Sequence, residues 1–128
     1  MSKGNDAVKL HGEGFNCAQC VLMTCSDLDK ETAEKIASGF GGGLKSGEIC
    51  GAISGAVMSL GLAGCEASEV KKLVKDFRGK FGHVRCIELK GKRKFKWMGK
   101  RKPVPCDELI KYAADAVENI LEKSNGNL

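Results

Sequence analysis

The sequence predicts an all-α fold: a single compact domain, residues 1–128, of about five or six helices around a Gly/Ala-rich central helix. Three observations carry this expectation. Apolar residues recur at helical spacing, most cleanly at Val70, Leu73, Val74, Phe77 and Phe81. No segment shows the period-2 alternation of a half-buried strand. The stretch from Gly39 to Gly64, GFGGGLKSGEICGAISGAVMSLGLAG, joins a glycine loop to a segment with two unlike faces. Ile49, Ile53, Val57 and Leu60 form its bulky face, and Gly51, Ala52, Gly55, Ala56 and Ser59 its small one. A helix with so narrow a face lets its neighbours come very close.

The elements follow in chain order. A short helix over about Asn5–His11 is broken by Gly12 and Gly14. Asn16 is a good N-cap for a helix running to about Cys25. Asp29 caps a third, Lys30 to about Ser38, with Ala33, Ile36 and Ala37 inward. Gly39 to Gly47 is too glycine-rich to hold a regular element. The central helix, residues 49–62, opens at Cys50 and is closed by Gly64. A helix from near Ser68 carries the periodic apolar set, and CIEL from Cys86 adds one further turn. Residues 90–105 form a basic loop insertion without helical or strand period. Pro103 and Pro105 then announce a last helix, Cys106 to about Lys123, with Asp107 and Glu108 in its first turn, where the helix dipole favours negative charge.

Charge is unevenly placed. The net charge is +5, yet Lys90 to Lys102 holds eight positive charges and no negative one, so the rest of the chain is net −3. No apolar run reaches the roughly 18 residues of a membrane span. The start, MSKGNDAVKLHGEG, lacks the apolar core of a secretion signal. Both point to the cytoplasm. In that reducing compartment seven cysteines indicate metal ligation or thiol redox chemistry rather than a disulfide scaffold.

Four cysteines stand out. Cys17, Cys50 and Cys106 each fall within the first turn of an expected helix, where free N–H groups and the dipole favour a thiolate. Cys86 lies in the irregular segment after Gly82. Three helix starts and one loop converging would make a four-thiolate site suited to zinc or an iron–sulfur cluster. The spacings match no compact zinc-finger or ferredoxin pattern. Cys17-Ala18-Gln19-Cys20 is also a CxxC, although no strand precedes it. Cys20, Cys25 and Cys65 read as small buried hydrophobes. His83, three residues before Cys86, is a candidate ligand or base. Glu48 would oppose ionisation of Cys50 if close, or would cap the helix. No Cys-x-x-Cys-His is present, so haem is not expected, and no phosphate-binding loop or Ser/His/acid arrangement occurs.

These residues also form a recognisable set. Phe15-Asn16-Cys17-Ala18-Gln19, Gly39-Phe40-Gly41-Gly42-Gly43, the run GEICGAISGA from Gly47, Phe81-Gly82 with CIELKG from Cys86, and finally Cys106 resemble the C_GCAxxG_C_C family of redox-active proteins. The resemblance spans about Ala7 to Val117 and maps the four signature cysteines onto Cys17, Cys50, Cys86 and Cys106. A related domain occurs in split-Soret cytochromes beside an iron–sulfur-type centre, so the resemblance implies a cluster held by those four cysteines. The basic link before Cys106 is longer than the family's usual one.

The leading expectation is a small cysteine-rich redox protein. Its Cys17, Cys50, Cys86 and Cys106 hold an iron–sulfur cluster or other metal and transfer electrons, or else exchange disulfides without metal. A docking role for the basic loop implies an acidic redox partner protein. The small-faced helix and that loop are compatible with a homodimer. The alternative from another class is a structural zinc module. It would offer Lys92, Arg93, Lys94, Lys96 and Trp97 to nucleic acid, which needs cations for phosphates and aromatic faces for bases.

Overall fold

The protein, in a computed structural model, is described for residues 2–90 and 104–126, with side chains to residue 123. It is built from helices: α1 Lys3–Gly12, α2 Cys17–Cys25, α3 Lys30–Ala37, α4 Gly51–Leu62, α5 Ala67–Phe81, α6 Cys86–Leu89 and α7 Cys106–Gly126. A wide turn over Gly43–Gly47 makes eight helical elements among the described residues, against the five or six expected. The single turn α6 is the further turn expected at CIEL; the addition is the wide turn, in a stretch read as too glycine-rich for a regular element and too short to leave a hydrophobic period. Among the described residues there is no strand, only one antiparallel bridge between Ile49 and Arg85.

The helix starts follow their capping chemistry. Ser2 caps α1 through a hydrogen bond from the Asn5 N–H at 3.1 Å, so α1 begins earlier than the apolar pattern suggests. Asn16 caps α2 reciprocally with Gln19: its side chain accepts from the Gln19 N–H at 2.8 Å, and the Gln19 side chain accepts from the Asn16 N–H at 2.9 Å. The Asn16 amide also donates to the Ser38 carbonyl at 3.2 Å, just past the end of α3. Asp29 caps α3 as expected.

The core forms where α4 is thinnest. Val21, Ile53, Ala56, Leu60, Phe77, Ile110 and Val117 are buried in one cluster drawn from α2, α4, α5 and α7. A side chain at Gly55 would place its Cβ 2.7 Å from the Ala18 carbonyl oxygen and 3.0 Å from Val21 Cβ. The α2 backbone therefore rests directly on α4. A second cluster, Ala18, Leu22, Met23, Ala33 and Ala37, seats α3 on the far side of α2. Phe77, Phe81 and Tyr112 lock α5 to α7 as an aromatic triangle with centroid separations of 4.9, 5.9 and 5.3 Å.

The glycine loop holds an ordered conformation that composition conceals. Gly42, Gly43, Leu44 and Lys45 are all left-handed, with φ of 64, 65, 61 and 56°. The Glu48 N–H closes the turn on the Gly43 carbonyl at 3.0 Å, and the Ser46 hydroxyl donates to the same oxygen at 3.0 Å. Gly43 packs against the Glu48 backbone and Cys86 Cβ with no room for a side chain. Leu44 and Lys45 adopt this conformation despite their Cβ atoms, at a cost of about 1–2 kcal/mol each.

Two substitutions test this account. Helix propensity alone would make Gly55→Ala stabilising by about 1 kcal/mol. The collision with the Ala18 backbone should reverse that sign, for a net loss of about 1–3 kcal/mol in urea unfolding. A midpoint at or above the parent's would mean that α2 does not depend on the glycine. Leu44→Gly, by contrast, should raise stability by about 1 kcal/mol as the strain is relieved.

Candidate functional site

All four signature cysteines sit at helix starts. Cys17, Cys86 and Cys106 are the first residues of α2, α6 and α7, and Cys50 is the N-cap of α4. Cys86 thus belongs with the other three, whereas the sequence places it in an irregular segment. Two physical devices bring them together. The first is the Ile49–Arg85 bridge. The Cys50 N–H donates to the Val84 carbonyl at 2.8 Å, and the Cys86 N–H donates to the Glu48 carbonyl at 2.7 Å. Cys50 and Cys86, each one residue past the bridged pair, lie at its two ends, opposite Val84 and Glu48, and Cys86 is among the groups that act on the Cys50 thiol. The second device is the missing side chain at Gly51. The Cys17 sulfur lies where a Gly51 Cβ would project, one residue after Cys50.

Cys106 joins through its own backbone. The Val104 N–H donates to the Leu89 carbonyl at 2.8 Å, tying the chain before α7 to the end of α6. This brings Cys106 to Lys90. The Lys90 ammonium is pushed up from its ordinary value, first by hydrogen bonding to the Cys106 sulfur, with further contributions from Cys106, Cys86 and Cys17. Lys90 is the hub that sequence reasoning missed. Its only signal is its place as the first cation after CIEL, where it reads as the start of the lysine run. Cys50 and Cys86 are buried, while Cys17 and Cys106 are half-buried. None of the seven cysteines is in a disulfide.

Burial dominates the thiols behind the site. It pushes Cys50 up from 9.0 to about 12, with the nearby Cys17 next in effect. The Ala52 and Ile53 N–H groups oppose this in part without closing a capping hydrogen bond. Cys20 and Cys25 are likewise pushed to about 12, chiefly by burial. Their sulfurs meet the Phe15 carbonyl at 3.5 Å and the Ala114 carbonyl at 3.7 Å, as small core residues do. Cys65 lies outside this centre, at the α4–α5 junction.

The expected acid–base neighbours are engaged elsewhere. Glu48 neither caps α4 nor faces Cys50; it grips Arg85 bidentately, with both contacts at 3.1 Å. His83 bonds Glu88 at 2.9 Å rather than any thiol. His11 reaches across from α1 to Asp107 at 2.7 Å, at the edge of the site next to Cys106. Among the described residues, no three His, Cys, Asp or Glu side chains are disposed to hold a metal ion. No helix among them is long and apolar enough to cross a membrane. Lys92, Arg93, Lys94, Lys96 and Trp97 lie outside the described residues.

A helical domain that gathers four thiols at four helix starts defines a cysteine-centred helical protein. The chain belongs to the family described as "Putative redox-active protein (C_GCAxxG_C_C)", whose model matches residues 15–120. No curated protein and no solved structure matches the chain.

The raised thiols fix the direction of the pH dependence. Above about pH 9 an unfolded cysteine loses its proton, while Cys20, Cys25 and Cys50 keep theirs in the fold until about 12. Their contribution to stability is complete below pH 9 and is lost progressively between 9 and 12. The urea midpoint should fall over that window, and less steeply in Cys20→Ala. In the folded protein, iodoacetamide should label Cys17 and Cys106 before Cys50, as peptide mapping would show. Early labelling of Cys50 would contradict its burial.

Proposed function

We propose that this chain is a redox protein whose reactive unit is Cys17, Cys50, Cys86 and Cys106, acting by dithiol–disulfide exchange. The observation that carries the reading is the convergence of three helix-start thiols, Cys106, Cys86 and Cys17, on the Lys90 ammonium, with Cys50 next to Cys17 behind them. A cation beside several thiols favours ionisation of one of them, and a thiolate is the nucleophile of such exchange. In the step, that thiolate attacks one sulfur of a partner disulfide. A mixed S–S bond forms, the partner's S–S bond breaks, and the departing thiolate takes up a proton. A second thiol of the set gives up its proton and attacks the mixed disulfide. The chain is left oxidised by two electrons and the partner reduced to a dithiol.

A second reading has a specific observation behind it. The Ala52 and Ile53 N–H groups favour the Cys50 thiolate without closing a capping hydrogen bond. Backbone N–H groups beside cluster sulfurs tune the potential of an iron–sulfur cluster. Cys17, Cys50, Cys86 and Cys106 would be the residues to hold one, and the cluster would supply one-electron transfer. The side chains as placed do not form a metal-ready group among the described residues, so the thiol reading stands first.

Anaerobic purification with elemental analysis, a visible spectrum and a dithiothreitol redox titration separates the two. The expected result is a colourless protein with a reversible two-electron couple that Cys50→Ser and Cys86→Ser each abolish or shift strongly. Iron with acid-labile sulfide, lost in Cys50→Ser, would install the cluster reading instead. Stoichiometric zinc without a thiol couple would support the structural zinc alternative and remove both redox readings.

A further inference from the structure

A cleft of about 590 Å³ opens beside Cys86, between the left-handed loop and α6. Small-molecule sites span about 300–1,000 Å³. Its walls carry Lys45 and Ser46 from the loop, Lys90 and Cys86 from the α6 side, and Asn16 from the cap of α2. None of its lining side chains is acidic. The nearby carboxylates Glu48 and Glu88 are taken by Arg85 and His83. Among the described residues neither Lys45 nor Lys90 is ion-paired with a carboxylate. A cleft of similar size between α5 and α7 holds no cysteine and mixes lysines with acids, so its lysines are locally neutralised.

The backbone supplies a second observation. Lys45 is held at φ 56°, ψ 19°, a conformation that glycine takes freely and lysine does not. Strain of this kind persists only where the surroundings enforce it, and it gathers at binding sites. Here it sets a cation on the rim of a cleft whose wall includes a thiol.

We infer that this cleft binds the carboxylate-bearing body of a low-molecular-weight disulfide and presents its sulfur to Cys86. The inference rests on the thiol reading above and names its substrate class. Lys45 and Lys90 hold the carboxylates, while Ser46 and Asn16, whose own donors go to backbone carbonyls, line the wall between them. The Cys86 sulfur attacks one sulfur of the bound disulfide, so a Cys86–S bond forms and the substrate's S–S bond breaks. The first departing thiolate takes up the proton that Cys86 gave up; a second thiol of the set then attacks the Cys86 sulfur, displaces the bound half and gives it its own proton. The chain ends with one intramolecular disulfide between Cys86 and that second cysteine, and the substrate as two thiols, a balanced two-electron exchange.

The test uses the full chain and S-methylglutathione, which keeps the carboxylates but has no reactive sulfur. Calorimetry should show saturable binding. Lys45→Gly, which suits the backbone, and Lys90→Gln should each weaken it at least fivefold. Lys45→Arg should retain it, and Lys71→Gln, on α5 outside the cleft, should leave it unchanged. In parallel, oxidation of the reduced protein by oxidised glutathione should be favoured over cationic cystamine, and Lys45→Gly should erase that preference. Absence of binding, equal loss in Lys71→Gln, or equal affinity for inorganic phosphate would overturn the inference. A chain that cycles its thiols with 2-hydroxyethyl disulfide but does not bind S-methylglutathione keeps the thiol reading and loses the cleft. Lysine-dependent binding without any reversible thiol couple does the reverse.

Discussion

The structure depends on how closely α2 can lie on α4. Gly51 and Gly55 remove the side chains that would hold the two helices apart, and the α2 backbone from Cys17 to Leu22 fills the space. One consequence is energetic: close backbone approach multiplies the small dispersion contacts that a wider helix pair would forgo. The other is chemical. The same missing Cβ at Gly51 that seats α2 also brings the Cys17 sulfur next to Cys50. Packing and site are therefore one feature, and neither can be relaxed without the other.

Around that contact the remaining elements act as clamps. The Ile49–Arg85 bridge holds Cys50 and Cys86 at its two ends, and the Glu48–Arg85 ion pair adds a side-chain tie across it. Exposed ion pairs are worth little by themselves. Here the pair lies over two short backbone hydrogen bonds that already fix the ribbon. The left-handed loop presses Gly43 onto Cys86, and the Val104–Leu89 hydrogen bond delivers Cys106. Each clamp acts on a helix start, where unpaired N–H groups and the dipole are available to a sulfur. Three of these positions, Cys17, Cys86 and Cys106, gather around one lysine, Lys90.

Much of this was legible in the residues. Asn16, Asp29 and the proline pair before Cys106 announce helices because capping is local chemistry, decided within a turn of the chain. The α5 stripe at Val70, Leu73, Val74 and Phe77 is equally local. What escaped were features without a period or a cap of their own. The turn at Gly43–Gly47 looks like mere flexibility, because glycine composition says that left-handed geometry is allowed and not whether it is used. Lys90 looked like one cation in a run of eight.

The helical class, the thin face of α4 and the prominence of Cys17, Cys50, Cys86 and Cys106 are readable from the residues alone, because each is written in neighbours a few residues apart. It took the folded chain to bring Cys17, Cys86 and Cys106 to Lys90, to turn Glu48 and His83 to Arg85 and Glu88, and to stand Lys45 over a cleft beside Cys86. The reason is physical. Local propensity fixes which face of a helix is small and where it starts. Which sulfur shares a space with which ammonium depends on contacts between residues dozens of positions apart, and those exist only once α2 has settled onto α4.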